Sequence, residues 1–215
     1  YIPSYIKVEE ASWFKEIKPI IMESPQRTIK KYLKENKVFK IPTFIYSYYK
    51  SKNTDNRYIY YKNILKSIPE NENEYDVAIA YAGPTEIIDA YITHKVKAKK
   101  KIGWVHFDIS KHKINEKLYE NLYEKFDKIF TVSNEANKKL NEIIPSTVSK
   151  SEVLLNIISK ELINEMAKED INFDNEFNGI KIVTVGRLSK EKGQDLAIKA
   201  LANLKKGGYK VRWYC

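Results

Sequence analysis

One cysteine, at the last position (Cys215), is all the thiol chemistry this sequence holds. That excludes a disulfide framework and any zinc site built on several cysteines, and it suits a reducing cytoplasm. Long apolar runs are missing too. None approaches the ~20 residues of a membrane-spanning helix, and the N-terminus lacks a secretory pattern. No G-x-G-x-x-G follows a strand, no Walker A lysine motif exists, and no G-x-S-x-G elbow occurs. Dinucleotide oxidoreductase, NTPase and α/β-hydrolase readings lose their main support with them. The chain contains no internal repeat and no low-complexity tract.

What is present is a globular composition: 215 residues, 43% hydrophobic and 13% aromatic, enough for a real core. The formal charge of +10 comes mostly from lysines spread along helical patterns and interleaved with glutamate, as over 116–126. The aromatics are not interleaved with arginine in a stacking motif. An RNA- or polyanion-binding module is therefore the lesser reading, and nucleic acid is not an expected partner. The one dense run is KVKAKKK, Lys95 to Lys101, between a helical pattern and a strand. It reads as a solvated turn. With the basic helix at 25–36 it also motivates attraction to an anionic membrane surface, where clustered lysines contribute about 1 kcal/mol each.

From about Asp76 short apolar strands alternate with helical patterns. Strands are expected at YDVAIAY (75–81), KIGWVHF (101–107), DKIFTVS (127–133) and SEVLLN (151–156). Helices are expected at 85–96, 115–126, 134–144 and 159–169, the last capped by Ser159. Alternation with continuous apolar strands predicts an α/β fold with a doubly wound parallel sheet. DINFDNEFNG (170–179) reads as a linker, and a fresh strand–loop–helix–strand starts at Ile180. The expected division is a domain over 1–169, a linker over 170–179 and the start of a second domain over 180–215. Before residue 75, helices are expected at 25–36 and 58–68, and IPTFIYSYYK between them reads as helix or exposed flap. Tyr1 in place of Met, and VRWYC as a closing strand, suggest a fragment of a longer protein.

Ligands of open α/β sheets lie beyond the carboxyl ends of the strands. Gly83 with Pro84 and Thr85, His106 with Asp108, and the loop GRLSKEKG (186–193) all fall there; Ser133 and Asn156 are weaker members of the same rim. In the loop, the β-branched run Ile182–Val185 leads to Gly186. Arg187 and Lys192 follow, Gly193 closes the turn, and Gln194 and Asp195 open an amphipathic helix. Backbone N–H groups, the helix dipole and two cations make an anion site whose natural guest is a phosphate or diphosphate. His106, Asp108 and His112 have no spacing that fixes a coordination geometry, so no metal site is expected. Trp13, Trp104 and Trp213 read as core or interface anchors, and Trp104 as packing.

VGRLSKEKGQDLAIKAL resembles the donor-binding signature of the family 4 glycosyltransferases, which have the two-domain GT-B fold. The order YDVAIAYAG, KKKIGWVHFD, FDKIFTVS, VLLNIIS is similar to that family's acceptor domain, so the resemblance covers roughly residues 75–215. It looks closest to bacterial enzymes that build surface polysaccharides. The resemblance implies an incomplete acceptor-side Rossmann-like domain followed by the first β-α-β of the donor domain. It implies that Arg187 and Lys192 grip the diphosphate of a nucleotide sugar, such as a UDP- or GDP-sugar, while Gly186 lets the backbone approach closely. His106 stands where the family places a histidine facing the transferred sugar. Transfer would proceed with retention, without a metal or other cofactor, to a saccharide or lipid-linked acceptor. The implied place is the cytoplasm, with a peripheral position on the inner face of the cell membrane as an extension. Two departures weaken the match: the family's N-terminal glycine-rich loop and its E-x7-E pair are absent from the sequence. Negligible transferase activity is therefore expected of residues 1–215 alone. A nucleotide-sugar epimerase or a sugar phosphorylase of the same architecture remains the alternative.

Overall fold

The computed structural model describes residues 2–111, 114–169 and 176–214. It divides into two compact units, residues 1–157 and 158–215. The sequence reading put residues 158–169 with the first domain; the structure groups them with the second unit. Most of the expected linker, 170–175, lies outside the described residues, as does His112.

The first unit opens with four helices: α1 (Phe14–Met22), α2 (Pro25–Lys34), α3 (Ile41–Asn53) and α4 (Arg57–Ile64). The tyrosine-rich segment left open between helix and flap is thus helix α3. It buries Phe44 and leaves Ile45, Tyr46 and Tyr49 exposed. Then follow β1 (Glu74–Gly83), α5 (Glu86–Lys95), β2 (Lys97–Val105), α6 (Glu116–Tyr123), β3 (Lys128–Thr131), α7 (Asn134–Ile143) and β4 (Ser151–Val153). The four strands form one parallel sheet in the order β1-β2-β3-β4. The α/β alternation is that expected from the sequence.

Side-chain alternation decides which face carries the core. Ala80, Val105 and Ile129 point one way and join Tyr119, Tyr123 and Leu140 in one cluster, with Ile88, Ile92 and Ile143 packed against it. α5, α6 and α7 therefore cover the same face. A parallel crossover is right-handed, so strands added successively in one direction place each connecting helix on the same side. A doubly wound sheet needs a reversal of strand order, and none occurs between β1 and β4. On the opposite face Val77 and Ile79 are 47% and 45% exposed.

The four N-terminal helices form a layer behind α5 and α6. Ile17, Ile20, Phe44, Tyr60, Tyr61 and Ile64 pack with Ile87, Ala90, Leu118 and Leu122. Asn115 ties the layers together: its Oδ1 accepts the N–H groups of Leu118 and Arg57, both at 3.0 Å, and its Nδ2 donates to the Asp55 carbonyl at 3.1 Å. One side chain thus caps α6 and joins the start of α4 to it.

The lysine run is not a turn. Lys97 to Lys101 belong to β2, where Lys99 pairs with Asp76 at 2.6 Å and Lys100 with Asp127 at 3.0 Å. Acidic residues at neighbouring strand starts supply counter-charges, so lysines tolerate a strand position that composition alone disfavours.

The second unit contains α8 (Lys160–Met166), β5 (Ile180–Val183), α9 (Gln194–Lys206) and β6 (Val211–Tyr214). β5 and β6 pair in parallel, with α9 as the crossover. Ser159 caps α8, its Oγ accepting the Leu162 N–H at 3.2 Å. No described helix is long and apolar enough to cross a membrane.

Candidate functional site

In the first unit, the carboxyl end of β1 is distorted. The register slips by one residue between Ala80 and Gly83, so Ala80 pairs with Gly103 but Gly83 with Val105. A Cβ on Gly83 would collide with the Trp104 carbonyl oxygen, so only glycine permits this approach. The Gly83 carbonyl accepts the His106 N–H at 3.1 Å, which fixes where β2 ends. The Gly83–Pro84 peptide bond is cis. Beyond it, Thr85 donates its hydroxyl to the Ala82 carbonyl and its N–H to Asp89 Oδ2 at 3.0 Å.

Strand periodicity puts Trp104 and His106 on the same face, and their rings stack at 6.0 Å with 6° between planes. Tyr81 meets His106 edge-on at 4.6 Å and Trp104 at 5.2 Å. His106 Nε2 and Trp104 Nε1 are buried without a hydrogen-bond partner among the described residues. A groove of about 670 Å³ opens here, lined by Tyr81, Ala82, Gly83, Trp104, His106, Phe107, Leu155, Asn156 and Ile157.

Of the rim residues read from sequence, Gly83, His106 and Asn156 thus share one groove, and Asp108 and Ser133 do not line it. Asp108 Oδ1 accepts the Ser110 N–H at 2.9 Å and the Ser110 hydroxyl at 2.6 Å, which shapes the short 3-10 turn Ile109–Lys111. These bonds, with Lys111 and Lys139 nearby, hold its carboxyl below the usual range. Ser133 caps α7, its Oγ accepting the Ala136 N–H at 3.1 Å. Trp104, read from sequence as packing, is part of the groove wall. The signal was available: Trp104 and His106 are two apart on a strand, so whatever His106 faces, Trp104 faces too. Tyr81 carried no such signal, because its place beside Trp104 comes from the pairing of β1 with β2, which joins residues remote in sequence.

A larger groove, about 810 Å³, lies by the start of β1, lined by Glu9, Glu10, Glu70, Glu72 and Glu74 beside the stacked rings of Trp13 and Tyr91. It sits at the amino end of the sheet, away from the end where strand-end ligands bind. Among the described residues no three His, Cys, Asp or Glu side chains are grouped as metal ligands would be.

In the second unit Gly186, Arg187 and Lys192 share the connection from β5 to α9. A Cβ on Gly186 would stand 3.6 Å from Lys192 Cγ, so the lysine stem crosses the glycine. Lys190–Lys192 form a 3-10 turn, and Gly193 takes φ +69°, the left-handed conformation that lets the chain enter α9. Gln194 Nε2 donates to the Arg187 carbonyl at 2.8 Å, pinning the loop across its base. Arg187 Nη2 lies 3.0 Å from Glu191 Oε1. Trp213 on β6 donates its Nε1–H to Thr184 Oγ1 at 2.8 Å, tying the end of β5 to its neighbour. Chemically, this is a helix N-terminus with two adjacent cations, an arrangement suited to a phosphate or diphosphate.

Neither a family model nor a curated protein matches this sequence.

Proposed function

We propose that this chain is the acceptor side and the first part of the donor side of a retaining glycosyltransferase of the GT-B type. The observation that carries the reading is the β5–α9 connection. It joins a strand end, Gly186, Arg187 and Lys192, and the start of a 13-residue helix in one turn. Two cations there would hold the diphosphate of a nucleotide sugar and stabilise the charge that builds as it leaves, the role a metal fills elsewhere. The acceptor hydroxyl would attack the anomeric carbon on the face from which the diphosphate departs, so retention needs no protein nucleophile. The groove at the end of β1 and β2 supports a sugar-facing role for His106, with Tyr81 and Trp104 offering apolar ring faces beside it.

The test is transfer from UDP- and GDP-sugars by the full-length protein, comparing Arg187→Ala and Lys192→Ala with the wild type. Each substitution should cost about 1.5–3 kcal/mol of transition-state stabilisation, the scale of a charge-assisted contact. Unchanged kcat/KM in both variants would remove the assignment. The anomeric configuration of the product, read by NMR, checks retention independently.

A further inference from the structure

Arg187 is already engaged. Its partner Glu191 follows four residues later in the same loop, and the two side chains are 83% and 58% exposed. An ion pair this exposed adds little to folding. The Arg187 carbonyl is anchored by Gln194, so its guanidinium can change partners by rotation about side-chain bonds alone. Lys192 has no ion-pair partner among the described residues. The loop therefore presents Lys192, like Lys190, directly, and Arg187 behind an internal carboxylate.

We propose that Glu191 is an internal counter-ion of the anion site: it holds Arg187 in the free protein and surrenders the guanidinium to the ligand's diphosphate. This rests on the reading of Arg187 and Lys192 as diphosphate ligands. A diphosphate outcompetes a carboxylate because it carries more charge and matches the planar guanidinium fork with two oxygens. A singly charged carboxylate ligand has no such advantage over Glu191, so the residue also sets a threshold that favours polyvalent anions. Once displaced, Glu191 remains beside the bound ligand and repels it, which limits affinity and favours release.

Inorganic pyrophosphate titrated into the 215-residue chain, followed by loop amide chemical shifts, reads this exchange. At low salt Glu191→Gln should lower Kd roughly three- to tenfold, the effect of removing one charge about 4–6 Å from an anion in water. Glu191→Asp keeps the charge and should stay near the wild type, and Arg187→Ala should raise Kd. If Arg187→Ala weakens binding but Glu191→Gln leaves it unchanged or weaker, the counter-ion role is overturned and the diphosphate reading stands. Equal tightening by Glu191→Asp and Glu191→Gln also overturns the role, since charge is then not the cause. Absence of binding, or indifference to Arg187→Ala, overturns both.

Discussion

Asp89 on α5 is 1% exposed, and its two oxygens fare differently. Oδ2 accepts the Thr85 N–H, whereas Oδ1 is buried without a partner among the described residues. Burial pushes its pKa up to about 7; the Thr85 amide opposes this and Glu86 adds to it. A carboxyl whose folded pKa exceeds its unfolded value binds its proton more tightly when folded. Its contribution to stability is full below the unfolded value, near 4, and is lost as pH rises toward 7. Urea unfolding at pH 4.5 and 7.5 should therefore show wild type losing stability relative to Asp89→Asn as pH rises. A pH-independent difference between the two would contradict the assignment. Because Asp89 holds the Thr85 amide, the same residue steadies the turn that follows Gly83. Gly83→Ala tests that turn directly: the added Cβ must displace the Trp104 backbone, at an expected cost of about 1–3 kcal/mol. A urea midpoint equal to that of wild type would mean the strand end is pliable.

Elements contribute unequally to this fold. α7 presses Leu140, fully buried, into the core beneath the sheet, while Leu196 on α9 is 65% exposed. Leu140→Ala should cost about 2–5 kcal/mol, through lost burial and the cavity left behind. Leu196→Ala should stay within about 0.5 kcal/mol, as exposed sites do. Denaturant titrations of both variants decide the contrast, and equal costs would contradict the packing described for α7. The elements were mostly legible in the sequence. Short continuous apolar runs such as YDVAIAY mark a strand by length and composition, and spacings such as Leu118–Leu122 mark a helix because burial selects one helix face repeatedly. Ser159 shows the same legibility at a helix start, since a cap needs only a local side chain. The lysine run was misread because its counter-charges, Asp76 and Asp127, are remote in sequence and adjacent only once the sheet forms.

At the scale of the whole molecule, the one-directional winding of the first unit has a physical consequence. Val77, Ile79 and Tyr81 stand exposed on a ten-residue strand at the end of the described sheet order. An exposed apolar face beside an unpaired edge favours association. The 215-residue chain should self-associate as its concentration rises, and Ile79→Lys should reduce this in sedimentation velocity. Identical concentration dependence in wild type and variant would place the sticky surface elsewhere.

The sequence by itself determined the α/β alternation, the parallel strands and the strand–loop–helix that gathers Gly186, Arg187 and Lys192. Each of these depends on neighbours a few residues apart, where periodicity, capping and chain connectivity act directly. Only the tertiary structure decided that α5, α6 and α7 share one face and that Tyr81 and Trp104 wall the His106 groove. Those outcomes rest on strand order and register, in which residues more than twenty positions apart become neighbours: Gly83 beside Trp104, and Lys100 beside Asp127.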